Sequence, residues 1–145
     1  MEIKKILWPT DLSPNAETAL ESVTSLSKKY NAEIHILYVI EDLGIHEPWY
    51  GDFDAEHVKA IHEWEEKQAV KRLDGICKEY LNECPLYIRH VATGDPTEQI
   101  LKLVSDENID MVVMATRGRR SNFSFGSVTE KVTKNAPVPV VLIPV

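Results

Sequence analysis

Short apolar runs alternate with stretches of helical spacing along the whole chain, and few folds accommodate that pattern. The runs cover residues 3–8, 33–40, 86–91, 109–115 and 138–145. Each is too short for a buried helix and rich in branched side chains, so each predicts a buried strand. Between them, apolar or small residues recur at the helical period: Ala16, Ala19, Leu20, Val23, Leu26 and Tyr30, then Val58, Ile61, Trp64, Ala69, Leu73, Ile76 and Tyr80, then Ile100, Leu101, Leu103 and Val104. Ser13-Pro14 and Asp95-Pro96 each pair a capping side chain with a proline at the first helical position, and Asn31 closes the first helix. A last helix opens at Gly126-Ser127 and runs to about Asn135. The order is β-α-β-α-β-α-β-α-β. It predicts an α/β three-layer sandwich: a five-stranded, mostly parallel sheet covered on both faces. At 145 residues the chain fits one domain spanning 1–145.

Composition narrows the partners. The formal net charge is -7, which argues against a general nucleic-acid binder, because phosphate neutralisation needs a Lys/Arg surface. No apolar run approaches the ~20 residues of a membrane helix. The start, residues 1–5, lacks the apolar core of a signal peptide, so a cytoplasmic location is expected. Cys77 and Cys84 are spaced too widely for a C-x-x-C motif and are expected to be reduced thiols.

In an open parallel sheet, ligands bind beyond the carboxyl ends of the strands, where strand order reverses. Three loops qualify: Pro9-Thr10-Asp11, Gly94-Asp95-Pro96 and 115–129. The third carries the most information. Gly118 and Gly126 flank a polar loop that also holds Arg117, Arg119 and Arg120, and Gly126-Ser127-Val128-Thr129 enters a helix. A helix start offers unpaired N–H groups and the positive end of a dipole, which suits phosphate. Ser127 and Thr129 add hydroxyls. A capped helix behind a solvated loop would use the same residues, so spacing alone leaves both open. The loop is neither a Walker A motif nor a G-x-G-x-x-G turn. Asp11, in the first turn, would accept a hydrogen bond from a ribose, position a metal, or cap the first helix.

Several segments together resemble the universal stress proteins. They are 4–13 (Lys-Lys-Ile-Leu-Trp-Pro-Thr-Asp-Leu-Ser), Gly94-Asp95-Pro96, 126–132 (Gly-Ser-Val-Thr-Glu-Lys-Val) and 137–143 (Pro-Val-Pro-Val-Val-Leu-Ile). The resemblance covers nearly the whole chain and implies a Rossmann-like, adenine nucleotide alpha hydrolase-like fold. It implies ATP, with or without Mg2+, as the ligand. Pro9, Thr10 and Asp11 would lie at the ribose and adenine side, and the backbone of Val39 would meet adenine. Met114 and Ala115 would lie under the ligand, and Gly118, Gly126, Ser127, Val128 and Thr129 would hold phosphates with Arg117, Arg119 and Arg120 as countercharge. Compared with nucleotide-binding members of that family, Ala115 replaces the first glycine of the Gly-x-x-Gly motif, and the spacer from Gly118 to Gly126 is shorter. The resemblance also implies a homodimer through the last strand.

His57 and His62 are five apart and do not share a helix face, His35 and His90 are expected at the surface or half-buried, and His46 is expected in a loop. No serine has an evident His/Asp partner. Three functions fit: a cytoplasmic stress regulator that binds an adenine nucleotide without robust turnover, a relative that binds none and works by protein contacts, and a slow ATP hydrolase.

Overall fold

The computed structural model describes residues 2–40, 55–80, 87–116 and 126–145. In chain order these form β1 (Lys5–Thr10), α1 (Pro14–Glu17), α2 (Leu20–Tyr30), β2 (Glu33–Ile40), α3 (Ala55–Tyr80), β3 (Tyr87–Thr93), α4 (Pro96–Asp106), β4 (Met111–Ala115), α5 (Ser127–Asn135) and β5 (Val140–Ile143). The five strands make one sheet of order β3-β2-β1-β4-β5. Every neighbouring pair is parallel, and the near-continuous apolar runs of β1 and β4 match strands covered on both faces.

Two apolar layers flank the sheet. On one side Ile6, Trp8, Ile34, Ile36 and Val113 pack with Leu20 and Val23 of α2 and Leu73 and Ile76 of α3. On the other, Leu7, Leu37, Val112 and Met114 pack with Ile100 and Val104 of α4 and Val132 of α5. Alternate residues of β1 and β4 thus feed opposite layers, the period-2 geometry of a strand. Side chains as fully buried as Leu7 and Leu73 each contribute about 1.5–3 kcal/mol. The sandwich therefore has three layers, as the alternation predicts.

Local chemistry sets the element ends. Ser13 Oγ accepts the Ala16 amide at 3.2 Å to cap α1, and Asp95 Oδ2 accepts the Glu98 amide at 3.0 Å to cap α4. Asn31 closes α2 in the left-handed region at φ 52. Asp110 Oδ2 accepts the amides of Lys4 and Lys5 at 2.9 and 3.0 Å, fixing the entry to β1 beside β4.

The structure corrects four details of the sequence expectation. The first helical stretch is two helices, α1 and α2, broken at Thr18 and Ala19. Pro9 lies inside β1 instead of ending it. β5 spans four residues, fewer than the apolar run 138–145. His35, expected near the surface, is 1% exposed. Trp49, Tyr50, Phe53 and Cys84 lie outside the described residues, as does the side chain of Cys77. Among the described residues no helix is long and apolar enough to cross a membrane.

Candidate functional site at the β1–β4 switch point

Strand order reverses between β1 and β4, since the chain moves outward through β2 and β3 on one side and through β5 on the other. Pro9 opens the crevice there. The Lys5 carbonyl accepts from Asp110 on the β4 side. Backbone groups alternate sides along a strand, so Leu7 and Pro9 also face β4. Proline has no N–H to extend that ladder. The β1–β4 pairing accordingly stops at Leu7↔Val112, while the β1–β2 pairing continues to Thr10↔Tyr38. The two central strands part at their carboxyl ends, where a ligand enters folds of this kind.

Thr10 and Asp11 form the floor of the first turn. Thr10 is buried, and its Oγ1 accepts the Leu12 amide at 3.0 Å. Asp11 Oδ1 accepts the Ser13 amide at 2.9 Å. Both side chains therefore shape the turn, and the residue that caps α1 is Ser13, not Asp11. Leu12 adopts φ 62, uncommon for a bulky residue. Its carbonyl accepts from the Arg72 guanidinium of α3 at 3.1 Å. Nothing in the sequence singles out Arg72, because the contact spans 60 positions.

On the β4 side, Met114 and Ala115 end the strand, both buried. The Ala115 side chain packs in the α2/α3 layer and Met114 in the α4/α5 layer. Ala115 is not among the described residues with positive φ, so the backbone there does not require glycine. Thr129 is buried, and its hydroxyl donates to the Ala115 carbonyl at 3.2 Å. That bond ties α5 to β4 and commits the hydroxyl proton that sequence assigned to phosphate. The Gly126 amide donates to the Thr116 carbonyl at 3.0 Å, a second tie between the start of α5 and the end of β4.

The start of α5 differs from those of α1 and α4: Gly126 is its cap, and among the described residues no side chain caps it. Ser127 is exposed, Val128 half-buried. The amides of 127–129 belong to the first turn, which has no intrahelical acceptors, and they carry the positive end of the helix dipole. Gly126 sits at φ -58, open to any residue. A glycine there is useful for close approach to the backbone. Val39, near the carboxyl end of β2, pairs with Ala92 of β3, two strands from β4. The structure thus brings Pro9, Thr10, Asp11, Met114, Ala115 and Gly126 to Thr129 to one end of the sheet, with Val39 at its flank. Arg117 and Gly118, together with Arg119 and Arg120, lie outside the described residues. A depression of about 670 Å³ lined by Glu63, Lys67, Lys78 and other α3 residues contains none of these candidates.

Sheet order and crevice define a Rossmann-like α/β protein. The model of the universal stress protein family matches residues 2–144, and the chain belongs to that family. The universal stress protein MJ0577 of Methanocaldococcus jannaschii is 30% identical over 153 residues, covering 97% of this chain and 94% of the relative. The solved structure of MJ0577 has a TM-score of 0.77 at 28% identity, covering 100% of this chain and 98% of that one. The universal stress protein UspA from Lactobacillus plantarum, at 23% identity, shares the fold with a TM-score of 0.77 and 99% coverage of both chains. A universal stress protein from Archaeoglobus fulgidus, solved in complex with dAMP, has a TM-score of 0.67 at 17% identity and covers 97% of each chain.

Proposed function

We propose that this chain binds an adenine nucleotide, ATP first among them, in the crevice between β1 and β4, and acts as a cytoplasmic stress-response regulator without robust turnover. One observation carries the proposal: the first turn of α5 has no side-chain cap among the described residues and is tied to the end of β4, where the two central strands part. That arrangement suits a phosphate. The dAMP complex of the Archaeoglobus relative supports an adenine nucleotide as the ligand class.

In this proposal the amides of Ser127, Val128 and Thr129 hold the phosphates and Gly126 lets them approach. The Ser127 hydroxyl adds a donor, while Thr129 fixes the amides in place through Ala115. Pro9, Thr10 and Asp11 form the ribose side, Val39 meets adenine through its backbone, and Met114 and Ala115 support the ligand from below. Arg117 and Gly118 complete the phosphate side. The fit of Mg2+ rests on the nucleotide, since among the described residues no group of three or more His, Cys, Asp or Glu is placed to hold a metal. When bound, Mg2+ would neutralise phosphate charge. Phosphate release is expected well below the ~10 s⁻¹ median of enzymes. The working assembly is a homodimer joined through β5.

Mass spectrometry of small molecules released from the denatured purified protein tests the proposal. Recovery of an adenine nucleotide in stoichiometric amount is the expected result. A protein that carries none and takes none up from millimolar ATP would favour action through protein contacts alone.

A further inference from the structure

On the β2–β3 side of the sheet, away from β4, two histidines share a contact that admits a limited number of protons. His35 of β2 is 1% exposed, and His90 of the edge strand β3 is half-buried. His35 Nε2 lies 2.7 Å from Glu33 Oε1, and His35 Nδ1 lies 2.9 Å from His90 Nε2. The rings are nearly parallel, at 11°.

The partners assign the protons. A carboxylate only accepts, so His35 carries hydrogen on Nε2. Neutral His35 then accepts at Nδ1, and His90 donates from Nε2. One added proton leaves the contact intact, either on His90 Nδ1 or on His35 Nδ1 with His90 accepting. A second added proton puts hydrogen on both facing nitrogens, and two donors cannot stay 2.9 Å apart. Other charges facing the pair are Glu33 on its own strand and Glu107 at the end of α4, whose carbonyl accepts from Lys5 Nζ of β1 at 3.0 Å. Arg89 alternates with His90 on β3 and pairs with Asp74 of α3 on the opposite face.

We infer that the His35–His90 contact is an acid-labile latch on β3: it holds the edge strand to β2 while the pair carries at most one added proton, and a second proton releases it. The backbone register Leu37↔His90 places the latch in the middle of the β2–β3 ladder, so its loss loosens β3 and leaves the central strands paired. Burial first, and the charge of His35 second, push His90 below its ordinary 6.5, with Glu107 opposing in part. The sign follows. Above 6.5 the latch is fully present. As pH falls below 6.5, the open state binds protons that the closed state refuses, and closure weakens by up to about tenfold per pH unit.

Hydrogen exchange at pH 7.5, 6.5 and 5.5, normalised to intrinsic amide rates, tests the latch. Protection of 87–93 should fall relative to β1 by up to about tenfold per unit below 6.5. His90→Gln keeps an amide donor for His35 Nδ1 but cannot titrate, so it should remove that pH dependence. Equal loss in β3 and β1, or a pH dependence retained in H90Q, overturns the latch. If H90Q fails to fold, ring-nitrogen NMR of the unmodified protein decides. One ring of the pair should stay neutral until β3 loses protection, and two charged rings beneath a fully protected β3 would refute the inference.

Discussion

Thr129 Oγ1 donates to the Ala115 carbonyl at 3.2 Å, bridging 14 positions and joining the first turn of α5 to the last residue of β4. The bond sets where the α5 amides point relative to the crevice. Thr129→Val keeps the shape and removes the donor. It should cost about 1–2 kcal/mol, because the Ala115 carbonyl loses its side-chain partner in a buried setting. Nucleotide affinity should fall several-fold, and Thr129→Ser should restore both. Urea denaturation and calorimetry of the three proteins check this.

Asn31 separates stability from the site. It closes α2 in the left-handed region, where glycine has no steric cost and a β-branched residue is strained. Asn31→Gly should leave stability within about 0.5 kcal/mol of the original, and Asn31→Val should lower it by about 1–2 kcal/mol. Neither should alter nucleotide affinity, since Asn31 lies at the amino end of β2. Equal stability of the two variants would contradict the backbone argument.

β5 is an edge strand. Its four residues are all half-buried: Val141 and Ile143 pack on one apolar layer, Val140 and Leu142 on the other. A second copy would cover this edge, and an exposed apolar edge is otherwise a liability. Light scattering at micromolar concentration should give twice the 16.5 kDa chain mass. Val141→Lys, or Val140→Lys, should shift the protein toward monomer. A monomeric mass for the unmodified chain would refute the dimer.

The order of elements was legible because the central strands β1, β2 and β4 are mostly buried and read as apolar runs, while Pro and Gly punctuate the stretches between elements. The break between α1 and α2 was not. Ala16, Ala19 and Leu20 keep the helical spacing across it, and the turn at Thr18 leaves no Gly or Pro to mark it. Pro9 was legible as an end, but an end of what required the register: it stops one ladder and not the other. The site was legible as a helix start with small residues. That Thr129 turns its hydroxyl inward was not, because its partner is a backbone carbonyl on another strand. His35 looked peripheral because a polar side chain in a strand flank usually faces water, whereas here Glu33 and His90 satisfy it inside.

Titration calorimetry with Mg-ATP, run in parallel on the unmodified chain and on Gly126→Val, tests the nucleotide proposal most directly. Gly126 sits at φ -58, which valine tolerates, so the variant should fold; a circular dichroism melt confirms it. The unmodified protein should bind with a dissociation constant between micromolar and sub-millimolar, a binding free energy of about 5–8 kcal/mol. The variant should give no heat, because its side chain occupies the approach to the α5 amides. No heat and no thermal shift for the unmodified protein at millimolar ATP, or undiminished binding by a folded Gly126→Val protein, would contradict it.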